Sequence, residues 1–290
     1  MNPFFSIVIP TYNRSALLLE AIQSILDQTF RSFEIIIVDD GGTDDTEHTI
    51  QKLNSDCIKY FEKVNGERGA ARNLGIDKSI GEYVVFLDSD DRLLPDHLET
   101  LYSHLRQKKE DFIATKFLFF DQSGKTTEND VNKLIEGYHG FKTFLIGNPI
   151  ACCFTIRRDN PSLIRFREEL FYVIMEDWIF LMENLQINKL YLINKVTITM
   201  RDHEQRSMRA NAKRVVSARI SARTYLLSSL MFSEEDRATL LSSSNYFCAI
   251  HSYLAGDTSL GFQYLWNSVK QKGFSVRVGF LFVKLCIQKI

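Results

Sequence analysis

The chain has 290 residues, 45% hydrophobic and 24% charged, with only 14 glycines and 5 prolines. That is a globular composition, sized for one large domain or two modest ones, and it excludes long disordered linkers. A net charge of -1 excludes an overall nucleic-acid habit, and no stretch reaches the roughly 20 apolar residues of a membrane span.

FSIVIP, residues 5–10, is a short apolar run rich in β-branched residues and reads as a buried strand. SALLLEAIQSILDQ follows as a helix, with Ser15 as its expected cap and Leu18, Ile22, Ile25 and Leu26 on one face. FEIIIVDD (33–40) is a second strand ending in two carboxylates, and GGTDDTEHTIQKLN turns into a helix with acidic residues in its first turn. IKYFEK (58–63) is a third strand, GERGAARNLGIDKSIG a turn and helix, EYVVFL a fourth strand, and LPDHLETLYSHLRQKK a helix. Further on, DFIATKFLFFD, ACCFTIRRD and LYLINKVTITMR read as strands, and GFKTFLIGN and MEDWIFLMENLQ as helices. From about residue 211 the chain reads as all helical.

Strands alternating with helices, and strands that are continuous apolar runs, give an α/β fold: a Rossmann-like, mostly parallel central sheet with flanking helices. The expected division is 1–207 for this part and 208–290 for a C-terminal helical region. Ligands of such sheets sit at the carboxyl ends of strands, where the acidic clusters at 39–40 and 88–91 both fall.

Charge is uneven along the chain. Residues 208–290 carry eleven basic against four acidic side chains, a net of +7, which leaves -8 in residues 1–207. In FSVRVGFLFVKLCIQKI (274–290), Arg277, Lys284 and Lys289 interleave with apolar residues, which suits either an interfacial helix on an anionic membrane or a helix packed on the rest of the protein. The five cysteines form no zinc-type spacing, and the N-terminus reads as a first strand rather than a signal peptide; a cytoplasmic setting is the expectation.

Three stretches carry chemistry. In FLDSDDRLLP (86–95), Asp88 and Asp90 stand two apart where a strand ends, and hard divalent cations take such oxygen ligands. Alone, the stretch also fits a solvated, helix-capping turn. In VDDGGTDDT (38–46), Asp39 ends a strand before Gly41 and Gly42, which let the backbone approach a ligand or simply make a turn. In GERGAARNLG (66–75), Arg72 follows small residues that leave room for a phosphate, or for an ordinary ion pair. A nucleotidyltransferase would want a glycine-rich basic loop after the first strand, and TYNRSALL is not one.

SIVIPTYNR (6–14), VDDGGTDDT, GERGAARNLGI, FLDSDDRLLP and MEDWIF (175–180) stand in an order and spacing that resembles the family 2 glycosyltransferases. The resemblance covers most of residues 5–180 and implies the GT-A fold. It implies a metal-dependent, inverting transfer of sugar from a nucleotide-diphosphate donor, by default a UDP-sugar, to an acceptor hydroxyl in bacterial polysaccharide or glycoconjugate synthesis. By the same resemblance Pro10, Thr11 and Tyr12 wrap the base, Asp39 meets it, and Arg72 lies near base and diphosphate. Asp88 reaches ribose or metal, and Asp90 ligates Mn²⁺ or Mg²⁺; Asp91 matches a position that is often acidic. Asp177 is the general base, and repulsion from its neighbour Glu176 strengthens it as a base. His203 is the metal or diphosphate residue of the MRDHEQRSM stretch (200–208), with Arg201 and Arg206 as weaker candidates. The acceptor is a saccharide or a lipid-linked saccharide, reached at the inner face of the membrane if the basic C-terminal region makes peripheral contact. Gly42 stands where a serine is frequent in the family, a departure that puts little in doubt.

Overall fold

The computed structural model describes residues 2–121, 123–203, 206, 208 and 211–288; Glu204, Gln205 and Ser207 of the 200–208 stretch and Lys289 of the tail lie outside them. The elements run β1 (Phe5–Thr11), α1 (Ser15–Leu26), β2 (Phe33–Asp39), α2 (Thr46–Lys52), β3 (Ile58–Glu62), α3 (Glu67–Lys78), β4 (Tyr83–Phe86), β5 (Arg92–Leu93), α4 (His97–Leu105), β6 (Phe112–Phe120), β7 (Thr126–Thr127), β8 (Gly137–His139), β9 (Phe154–Arg157), α5 (Glu176–Asn184) and β10 (Leu190–Arg201). Among the described residues the helices α6 (Ala212–Ser229), α7 (Glu234–Leu254), α8 (Thr258–Lys272) and α9 (Val276–Gln288) follow.

The chain divides into two compact units. One comprises Met1–Gly140, Pro149–Glu168 and Asn184–His203; the other Phe141–Asn148, Glu169–Glu183 and Glu204–Ile290.

The first unit is built on one sheet, in the order β3-β2-β1-β4-β9-β6-β10-β5, with β7 beside β6 and β8 beside β10. Strands β3, β2, β1 and β4 are parallel, with Thr11 in register with Asp39. Strand β9 enters antiparallel between β4 and β6, while β10 runs parallel to β6. The sheet is therefore parallel where the nucleotide-type motifs stand and mixed beyond them. Burial explains the continuous apolar runs: Ile7, Val8, Ile9, Ile35, Ile36, Ile37 and Val38 are all fully buried, as strands covered on both faces must be. Helix α3 lies so close on β1 that a Cβ at Gly75 would stand 2.2 Å from Val8 Cγ1, which is why a glycine stands there.

Two local expectations are corrected. Ser15 is the first residue of α1, not its cap; its amide donates to Asp44 and its hydroxyl to Asp45 at 2.7 Å, tying α1 to the turn after β2. GFKTFLIGN gives only a short 3₁₀ turn at Phe141–Phe144, because Gly147 turns to φ 146 and Pro149 follows.

In the second unit the sequence sets the helix starts. Asn211, Ser233 and Asp257 each accept from a backbone amide three residues ahead, capping α6, α7 and α8, and Gly273 at φ 79 ends α8. Ala249, Leu265, Val278, Leu281 and Leu285 form a shared core of α7, α8 and α9. On the opposite side of α9, Val276, Phe280, Val283 and Ile287 are exposed at helical spacing. No helix among the described residues is long and apolar enough to cross a membrane.

Candidate functional site

In the first unit the parallel strands β1, β2 and β4 deliver their motifs to one edge of the sheet. Asp88, Asp90 and Asp91 follow β4 and offer carboxylate oxygens within 4.8 Å of one another. Two arginines and an imidazole answer this charge. Arg72, 1% exposed, donates to Asp88 Oδ1 at 2.7 Å and lies over the Phe166 ring. Arg14 donates to Asp90 Oδ2 at 2.8 Å, and His203 Nε2 lies 3.1 Å from the same oxygen. Asp91 is buried and accepts from the Arg201 amide at 3.0 Å.

Asp90 and His203, 113 residues apart in sequence, thus meet. Three carboxylates beside an imidazole are a donor set that suits Mn²⁺ or Mg²⁺, so the residues present fit a divalent cation. Arg201 is committed elsewhere: with Arg92 it binds the Glu20 carboxylate, and both guanidinium groups lie over Phe120. Burial opposes the charge on Glu20, but the hydrogen bond from Arg92 and the charge of Arg201 outweigh it and hold its carboxyl below the usual range. Arg206 is half-buried.

The base-side residues line the same edge. Pro10 and Thr11 are buried at the end of β1, Tyr12 is half exposed, and the buried Thr11 Oγ1 has no hydrogen-bond partner among the described residues. Asp39 is buried, accepting from the Gly42 amide and from Tyr60 Oη, each at 2.8 Å. Burial, and then the Asp39 carboxylate, push the Tyr60 hydroxyl pKa up, so Tyr60 stays a donor. A Cβ at Gly42 would stand 2.8 Å from Asp39 Oδ1, so the missing side chain leaves this carboxylate its backbone donor. Asn13, at φ 51, accepts from the Thr43 and Asp44 amides and holds the β1 and β2 loops together.

In the second unit Asp177 stands in the first turn of α5, where the helix dipole favours an anion. Its Oδ1 accepts from the Trp178 amide at 2.6 Å and its Oδ2 from Asn148 Nδ2 at 2.9 Å. Glu176 and Trp178 beside it are buried, and Trp178 Nε1 donates to the Phe144 carbonyl. Ile174, two residues before Glu176, sits at φ 85. That conformation is costly for a β-branched residue, and such strain gathers at functional sites.

Sequence reasoning did not single out Arg14 or Asn148. Arg14 had a signal, as a cation in the same stretch as Tyr12. Asn148 had none, since its partner is 29 residues away.

The family model described as glycosyl transferase family 2 matches residues 6–160. An uncharacterized glycosyltransferase of Rickettsia conorii is 42% identical over 171 residues, 57% of this chain and 27% of its own. The Campylobacter jejuni GalNAc(5)-diNAcBac-PP-undecaprenol beta-1,3-glucosyltransferase is 32% identical over 209 residues, 71% of this chain and 61% of its own. The chain thus spans only part of the length of these relatives. Among solved structures, Staphylococcus aureus TarS 1-349 in complex with UDP-GlcNAc is similar with a TM-score of 0.70 at 19% identity, covering 98% of this chain and 88% of that one. The mannosyltransferase PcManGT from Pyrobaculum calidifontis, in complex with GDP-Man and Mn²⁺, gives 0.65 at 14% identity, covering 100% and 81%. At these identities the structural likeness shows the fold, which is the GT-A arrangement that the motifs imply. The matched span of 155 residues is more than half of the 290, and it carries the β1, β2, α3 and β4 motifs in order; the chain belongs to glycosyl transferase family 2.

Proposed function

We propose that the protein is a metal-dependent, inverting glycosyltransferase that takes a sugar from a UDP-sugar and gives it to a saccharide or lipid-linked saccharide. One observation carries the reading: the carboxylates of Asp88, Asp90 and Asp91 converge at the sheet edge that also holds Arg72, Thr11 and Asp39. TarS, solved with UDP-GlcNAc, supports the uridine donor, and PcManGT, solved with Mn²⁺, supports the metal. The Campylobacter relative, named for an undecaprenol-linked substrate, supports a lipid-linked acceptor in polysaccharide or glycoconjugate synthesis.

Asp90, Asp88 and His203 would hold the cation. A bound divalent cation supplies charge neutralisation to the departing nucleoside diphosphate. Arg72 adds a fixed positive charge beside Asp88. Pro10, Thr11 and Tyr12 embrace the base; Thr11 Oγ1 offers it a hydrogen bond, and the exposed Tyr12 ring offers it a stacking face. Asp39 meets the base from the end of β2. Asp177 accepts the proton of the acceptor hydroxyl, and a single displacement inverts the anomeric centre. Residues 208–290 form the helical region that meets the acceptor or the cytoplasmic membrane face, with the catalytic part before it.

The test is UDP binding by calorimetry, with and without Mn²⁺, on the wild type and Asp90→Ala. Mn²⁺-dependent binding that the substitution abolishes supports the site. Binding indifferent to both removes Asp90 from the metal role, and no UDP binding in any condition removes the uridine donor.

A further inference from the structure

Arg219 is a cost in the second unit. It lies on α6, 2% exposed, with its Cζ 3.5 Å from the Trp178 ring centroid and 5.0 Å from that of Phe247. Its Nε donates to Ser244 Oγ at 3.2 Å, while its buried NH2 has no hydrogen-bond partner among the described residues. A buried cation this poorly satisfied is weak as a stabilising device. Replacing such a group by an apolar residue of similar volume is often neutral or stabilising.

Its surroundings give it a purpose. Trp178, on which the guanidinium stacks, donates its amide to Asp177 Oδ1. The charged and titratable groups around Arg219 are Arg223 on its own helix, Cys248 and His251 on α7, and Asp177 on α5. Burial pushes the Cys248 thiol up to about 11, so it is neutral, and burial followed by the Arg219 charge lowers the His251 pKa, so it is neutral too. Arg223 is a second cation and donates to Asn245. Asp177 is thus the anion that Arg219 faces in this group. Burial lowers the pKa of Arg219 to about 9, which leaves it cationic at neutral pH.

We infer that Arg219 is a positioning residue for the transfer reaction: stacked on Trp178, it orients the backbone that binds Asp177 and keeps that carboxylate ionised. This rests on the reading of Asp177 as the base. It also opposes the effect of Glu176 beside Asp177, because a nearby cation stabilises the charge that a neighbouring carboxylate would repel.

The test needs no known acceptor. In the full chain labelled with ¹⁵N-tryptophan, only Trp178 and Trp266 give amide signals, and Trp266→Phe assigns them. The Trp178 amide is bonded to the Asp177 carboxylate, so its shift follows Asp177 ionisation through a pH titration, and Asp177→Asn should abolish that titration. In Arg219→Met the midpoint should rise by about one unit or more. Arg219→Gln, which also removes the charge, should do the same, and Arg219→Lys should keep the wild-type midpoint. Melting temperatures of Arg219→Met should match or exceed the wild type. An unchanged midpoint in both neutral variants overturns the inference, whether or not stability is lost. UDP release from UDP-N-acetylglucosamine by Asp177→Asn is measured beside it. Wild-type release there sinks the base assignment alone, whereas an inactive Asp177→Asn with an unmoved midpoint sinks only the role of Arg219.

Discussion

Arg72 donates from a fully buried guanidinium to Asp88 Oδ1 at 2.7 Å, fixing α3 to the end of β4. An arginine held this way cannot swing out to water, so its charge is permanently aimed at the acidic cluster. Lysine at this position keeps the charge but loses the planar fork. Arg72→Lys is therefore expected to weaken Mn²⁺-dependent UDP binding about tenfold, the loss of roughly one charge-assisted hydrogen bond. Calorimetry checks it, and wild-type affinity would remove Arg72 from diphosphate binding.

Asp177→Asn keeps the shape of the α5 start and removes the charge. Turnover is expected to fall by about 10²-fold or more, the usual contribution of a general base. UDP binding should be unchanged. Asn148→Ala deletes the donor to Asp177 Oδ2 and should lower turnover by a smaller factor, again without weakening UDP. UDP release and calorimetry on both variants separate the chemical step from donor binding.

His97 predicts a pH dependence of stability. It is buried on α4, with Nδ1 2.7 Å from Thr197 Oγ1, whose own proton goes to Thr115. Burial lowers its pKa from 6.5 to about 3. The folded state keeps the ring neutral, while the unfolded chain takes up a proton below 6.5. The contribution is thus complete above pH 6.5 and is lost as pH falls toward 3, by up to about 1.4 kcal/mol per unit. Urea unfolding should show lower stability at pH 5 than at pH 7, and His97→Gln should flatten that difference.

The outer face of α9 predicts membrane contact. Val276, Phe280, Val283 and Ile287 are exposed there, with Arg277 and Lys284 beside them, and Thr258–Gln288 contains no acidic residue. Vesicles containing phosphatidylglycerol should sediment the protein, and pure phosphatidylcholine vesicles should not. The double variant Phe280→Glu, Val283→Glu should abolish the effect, and added salt should weaken it. Equal behaviour with both vesicle types would remove the contact from the proposal.

Much of the fold was legible because its signals are local. A short, β-branched run such as FEIIIVD reads as a buried strand from its own residues, and it is one. The antiparallel entry of β9 was not legible, because strand direction depends on which neighbour accepts the hydrogen bonds, and ACCFTIRRD reads the same either way.

The sequence by itself determined which residues are candidates for the chemistry: carboxylates at strand ends, an arginine after small residues, an acid at a helix start. Only the tertiary structure decided how they are answered. It set Arg14 and His203 on the same oxygen of Asp90, sent Arg201 to Glu20 instead, and buried Arg219 against Trp178. The reason is physical. A residue's type is a local property, but the partner that neutralises a charge is chosen by packing across the chain, where burial makes each unanswered charge costly.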